Sequence, residues 1–138
     1  MDINTVSGQI VDAAMRVHSA LGPGLLESVY EACLADELKN GHLFIECQLP
    51  LSINYFGKVI EAGLRLDLVV ERTVVGELKS VESLLPIHTA QLLTYLRLGH
   101  YPLGLLLNFN VVHMKQGIKR LTNTPFPPSV SSASSVVK

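Results

Sequence analysis

The 138-residue sequence predicts a single α/β domain, and three observations point to it. Two amphipathic helical segments come first, strand-like segments joined by turn residues follow, and a third helix then leads into a short, wholly apolar strand. A chain of this length buries roughly two thirds of its unfolded surface, so one core suffices. The hydrophobic fraction of 48% against 17% charged can fill that core and argues against a disordered chain.

In residues 4–21, Ile10, Ala13, Ala14, Val17 and Leu21 recur at helical spacing, and Gly22-Pro23-Gly24 ends the helix. A second helix is expected over residues 25–40, with Leu26, Val29, Tyr30, Leu34 and Leu38 inward and Gly41 as its C-terminal glycine. Residues 44–55 alternate imperfectly, Phe56-Gly57-Lys58 reads as a turn, and Val59 starts the return strand. Residues 64–70 and 74–80 form a further hairpin about Glu71-Arg72-Thr73. Pro86 suits the first turn of a third helix reaching residue 98, with Ile87, Ala90, Leu93 and Leu96 on one side. Residues 103–109 form an apolar run short enough for a strand buried on both faces, and residues 117–121 a last short strand. Residues 1–121 are thus expected to form the domain. Residues 122–138, with the Pro- and Ser-rich stretch TPFPPSVSSASSVVK, are expected to be a flexible tail.

No apolar run approaches the roughly 20 residues of a membrane span, and the N-terminus lacks the basic and apolar regions of a signal peptide. A cytoplasmic protein without a membrane partner is expected. Cys33 and Cys47 have no CxxC spacing, so they read as ordinary thiols. Net charge is -1, but its distribution is uneven: no acid follows Glu82, whereas Arg97, Lys115, Lys119 and Arg120 do. Clustered cations attract phosphate even on a nearly neutral molecule, which makes these four candidates for nucleic-acid contact. Solvated surface cations would give the same pattern.

The hairpin carries the chemistry. Centred on Arg72, positions summing to 144 oppose each other, pairing Asp67 with Glu77 and Arg65 with Lys79 on one face. Leu64, Leu66, Leu68, Val70, Val74 and Leu78 would occupy the other. Opposed carboxylates repel across a sheet. A hard cation such as Mg²⁺, which prefers oxygen ligands, would turn that repulsion into coordination, with Lys79 alongside. A purely structural charge cluster with Arg65 and Lys79 is the alternative. Gly76, inside the second strand, marks either close approach of a ligand or backbone, or a bulge. Glu27 and Tyr30 share a helix face, although an acid in a first helical turn also serves the free N–H groups there. His88, Gln91 and Tyr95 make a polar stripe on the third helix, as a solvated face would also do.

Gly24-Leu25-Leu26-Glu27-Ser28-Val29-Tyr30 resembles the signature of the GxxExxY proteins, a family of small prokaryotic proteins in the PD-(D/E)XK nuclease-like superfamily. The likeness continues through Arg65-Leu66-Asp67, Glu77-Leu78-Lys79-Ser80, Pro86-Ile87-His88, Gln91 to Leu96, Leu107-Asn108-Phe109 and Gly117 to Arg120. It implies a restriction-endonuclease-like fold, a mixed four-stranded central sheet flanked by helices. It also implies metal ligands at Asp67 and Glu77 helped by Glu27, a catalytic lysine at Lys79, and a glutamine motif at Gln91 with Tyr95. Leu66 stands where the superfamily name has proline, and Gly76 replaces an apolar strand residue.

The expected function is a Mg²⁺- or Mn²⁺-dependent nuclease, hydrolysing DNA phosphodiesters with metal-activated water. The alternative is a catalytically silent nuclease-fold module for binding or assembly with a protein partner. The apolar content favours a homodimer.

Overall fold

The computed structural model describes residues 1–123, so most of the expected tail lies outside the described residues. The order of elements is α1 (Ile3–Leu21), α2 (Glu27–Asn40), β1 (Ile45–Tyr55), β2 (Lys58–Val70), β3 (Val74–Lys79), α3 (Pro86–Gly99), β4 (Leu103–Asn108), a single 3-10 turn (Met114–Gly117) and β5 (Ile118–Thr122). Asp2 caps α1, its carboxylate accepting from the Thr5 amide at 2.8 Å. The sheet has five strands rather than four, in the order β1-β2-β3-β4-β5. All neighbours are antiparallel except β3 and β4, which are parallel. A parallel pair needs a crossover, and α3 supplies it.

The sheet is covered on both sides. On one, α1 and α2 bury Ile10, Ala14, Tyr30 and Leu34 against Leu68, Val70, Val74, Leu78 and Leu107. On the other, α3 buries Leu92 and Leu96 against Val69, Val75 and Leu106. The apolar run of β4 thus feeds both cores, and all six of its residues are buried. Leu64 and Leu66 depart from the expected alternation: they pack with Val69 on the α3 side, while Leu68 packs on the α1 and α2 side. The pleat is broken between Leu66 and Leu68, and Asp67 stands at the break.

Other departures have local causes. Leu26 is 74% exposed because α2 begins only at Glu27, leaving Leu26 as its cap position, and Val29 is also exposed. Gly41 keeps a negative φ, and the left-handed residue after α2 is His42. The two expected strands before Glu71 are one, β2, bent at Gly63, whose φ of 73° few other residues tolerate. The β1–β2 register shifts beside it. Gly76 is neither bulge nor ligand gap: it pairs regularly with Leu68 and Leu105, and the Leu68 side chain fills the space over it.

Gly104 does require its missing side chain. A Cβ there would stand 3.0–3.1 Å from atoms of Leu92 and Leu96, so the absence of a side chain lets α3 lie close on β4. Gly104→Val is expected to force α3 outward and cost about 1–3 kcal/mol, measured by urea unfolding. An unchanged midpoint would show that α3 does not need this close approach.

Candidate active site

Three Cα pairs of the β2–β3 ladder follow the expected register: Val70 with Val74, Val69 with Val75 and Leu68 with Gly76. There the regular ladder stops. One step further the strands are bridged by side chains instead of backbone. The Asp67 amide donates to Glu77 Oε1 at 3.1 Å, and the Leu78 amide donates to Asp67 Oδ2 at 2.9 Å. Two amides that the ladder leaves without a carbonyl are thus met by carboxylates, as part-buried N–H groups require. Arg65 does not oppose Lys79. It opposes Pro50 on β1, and its guanidinium donates to the Gln48 carbonyl at 3.1 Å.

Glu77 is only 7% exposed. Burial first, and then the charge of Asp67, push its carboxyl up to about 8. The amide of Asp67 works against this, a hydrogen bond between the two carboxyl groups adds to it, and nearby Lys79 offsets a little. At neutral pH, without a cation, Glu77 therefore keeps its proton. Tyr95 on α3 feels the same pair: burial, then Glu77 and Asp67, raise its phenol, which stays neutral at physiological pH. Lys79 ends β3, half-buried, with its carbonyl accepting from the Phe109 amide at 3.0 Å. Just beyond it, Val81 is clamped at both its backbone polar groups by the buried amide of Asn108.

Glu27 is exposed at the first position of α2, bordering a shallow depression with Leu25, Leu26, Ser28 and Ser80. Ser80 ties this depression to β3 by donating to the Leu25 carbonyl at 2.6 Å. The neighbouring phenol has a structural task. Tyr30 is fully buried, stacks on Phe109 at 4.5 Å, donates to the Gly22 carbonyl and accepts from the Leu25 amide. It thereby fixes the loop that delivers Glu27. Gln91 is exposed one turn before Tyr95, and His88 caps α3 by accepting from the Leu85 amide at Nδ1.

Two residues that the sequence pattern did not single out join the acids. Glu31, one helical turn after Glu27, accepts from Gln48 Nε2 at 2.7 Å, and the same nitrogen reaches Asp67 Oδ1 at 3.3 Å. Burial raises the Glu31 carboxyl, the Gln48 bond lowers it, and the charges of Asp67 and Glu27 raise it. The i,i+4 relation of Glu27 to Glu31 was legible in sequence; the part played by Gln48 was not.

The four cations do not form one stripe. Lys119 donates to Thr89 on α3, whereas Arg120 donates to Asn4 on α1, on opposite sides of the sheet. Lys115 lies in the 3-10 turn near Met15 and His18, and Arg97 in the last turn of α3.

Among the described residues, no group of three or more His, Cys, Asp or Glu side chains is arranged to hold a metal. Asp67 and Glu77 nevertheless suit one kind of ion. Mg²⁺ commonly takes one or two carboxylates and keeps several waters, and the buried Glu77 carboxyl beside Asp67 marks a place where positive charge is favoured. Among the described residues no helix is long and apolar enough to cross a membrane. Compared with known proteins, residues 4–121 match the family model of the PD-(D/E)XK nuclease superfamily. No curated protein and no solved structure matches the chain.

The raised Glu77 carboxyl has a stability consequence. Unfolded, Glu77 loses its proton near 4.5; folded, it keeps it to about 8. Its contribution is therefore complete below pH 4.5 and is lost as pH rises through 8. At about 1.4 kcal/mol per unit, the loss is on the order of 5 kcal/mol. Metal-free protein should melt progressively lower across that range, and Glu77→Gln should flatten the slope. Parallel pH profiles of wild type and variant would contradict the raised Glu77 carboxyl.

Proposed function

The chain belongs to the PD-(D/E)XK nuclease superfamily, and from that premise we propose a Mg²⁺- or Mn²⁺-dependent phosphodiesterase acting on DNA, of the GxxExxY kind. The observation that carries this reading is the pair of carboxylates, Asp67 and Glu77, held by each other's strand at a break in the ladder. They would hold the cation, which would supply charge neutralisation and a more acidic water at the phosphate. Glu77, protonated near neutral pH, would have to give up its proton to serve as a ligand.

The remaining residues act on the substrate. Lys79, beside Glu77, would set its ammonium against charge developing on the phosphate. Tyr95, kept as a neutral phenol, would donate a hydrogen bond to a phosphate oxygen or to water. Glu27, at the start of α2, would help to orient the cation's water shell, and Gln91 would line the approach to Tyr95. Arg97, Lys115, Lys119 and Arg120 would contact the nucleic-acid backbone, Lys119 from the α3 side of the sheet and Arg120 from the α1 side. A homodimer belongs to the same reading, with the exposed apolar side chains Tyr55, Phe56 and Val59 near the β1–β2 turn as contact surface.

The test compares wild type, Asp67→Ala and Lys79→Ala on single-stranded, double-stranded and branched DNA and on RNA, with Mg²⁺ or Mn²⁺. Cleavage by wild type is expected, with a loss of about 10²–10³-fold in Lys79→Ala, the scale of removing one transition-state donor. Asp67→Ala should also abolish calorimetric Mn²⁺ binding. Equal inactivity of all three proteins on every substrate would favour the silent binding or assembly module.

A further inference from the structure

Gln48 has an unusual backbone. Its φ of 53° is left-handed, a conformation strained for any residue but glycine. It sits in the middle of β1, where the regular pairs Cys47–Leu68 and Leu49–Leu66 run on either side of it. The pair that the register would place between them, Gln48 with Asp67, is missing. Strain of this kind persists only where the surroundings enforce it, and it concentrates at functional sites.

What enforces it is visible. The Gln48 carbonyl accepts from the Arg65 guanidinium at 3.1 Å. Its side-chain nitrogen donates to Glu31 Oε1 at 2.7 Å and to Asp67 Oδ1 at 3.3 Å. A regular β conformation would restore the pair with Asp67 and alternate the side chain with its neighbours. The left-handed turn brings one amide between two acids from different elements, α2 and β2. That amide bridges carboxylates that would otherwise only repel, and it contacts the Asp67 oxygen that the Leu78 amide does not use.

We propose that Gln48 is the positioning residue of this site, fixing the Asp67 carboxylate between β3 and Glu31 so that Oδ2 stays on the Leu78 amide and Oδ1 is tied to α2. The proposal rests on the proposed function for its consequence in metal binding, but its geometry can be read without a metal. A residue that orients a metal-binding carboxylate typically changes metal affinity 10–100-fold when removed. Glycine accepts a positive φ without strain, so Gln48→Gly removes the amide while favouring the observed backbone.

Two measurements on the full chain test it. In metal-free protein, the amide proton of Leu78 reports on its bond to Asp67 from the far side of the carboxylate. Gln48→Gly and Glu31→Leu should both shift that resonance, whereas Glu31→Gln, which keeps an acceptor for Gln48, should leave it near its wild-type position. A generally loosened fold would move many amides and would not distinguish the two Glu31 variants. In calorimetry, Gln48→Gly should bind Mn²⁺ at least tenfold more weakly than wild type. A Leu78 resonance that stays in place in Gln48→Gly overturns the proposal whatever the metal result. So does wild-type Mn²⁺ affinity in that variant. A wild type that takes up no Mn²⁺ overturns the metal reading instead, and the Leu78 resonance still decides for or against Gln48.

Discussion

The structure depends on a place where β2 and β3 stop pairing in the ordinary way. At Asp67 and Glu77 each strand's carboxylate accepts from the other strand's amide. These acid oxygens take the place of ladder carbonyls as acceptors, so the ladder gives way without leaving these amides bare. The cost is a buried Glu77 carboxyl that burial and the charge of Asp67 together raise. A site with that cost built in is at its most favourable when positive charge enters it.

The rest of the fold holds this break in place. The regular pairs from Leu68 to Val74 anchor one end of the hairpin, and the parallel ladder to β4 runs the whole length of β3, from Val74 to Lys79. The buried Asn108 then secures the chain beyond Lys79. Tyr30, stacked on Phe109 and bonded to the Gly22–Leu25 loop, sets where α2 starts. On the other face, Gly104 lets α3 come down onto the sheet and so brings Tyr95 within the influence of the two acids. Apolar packing thus delivers each polar group, and local hydrogen bonds orient it.

Much of this was legible in the sequence, because it follows from periodicity and turn position. The three helices, the register about Arg72 and the doubly buried β4 are all properties of side-chain spacing. Ordered motifs from Glu27 to Arg120 carried the family likeness, and the match over residues 4–121 agrees with it at the level of the superfamily. The break itself was not legible. Alternation treats every carboxylate as a side chain on a face, whereas Asp67 and Glu77 compete with carbonyls for backbone amides. The pleat parts Leu66 from Leu68 at the same place. Gln48 was hidden for a related reason: nothing in its chemistry signals a left-handed φ, which arises from what its amide reaches. The fifth strand, by contrast, corrects a count implied by likeness alone, since the strand-like pattern near residue 118 was already apparent.

The central claim is that Asp67 and Glu77 jointly hold a divalent cation at the break between β2 and β3. Anomalous diffraction from crystals grown with Mn²⁺ tests it most directly. One strong peak within coordination distance of carboxylate oxygens from both residues is expected. A peak bound elsewhere, or none, would contradict it.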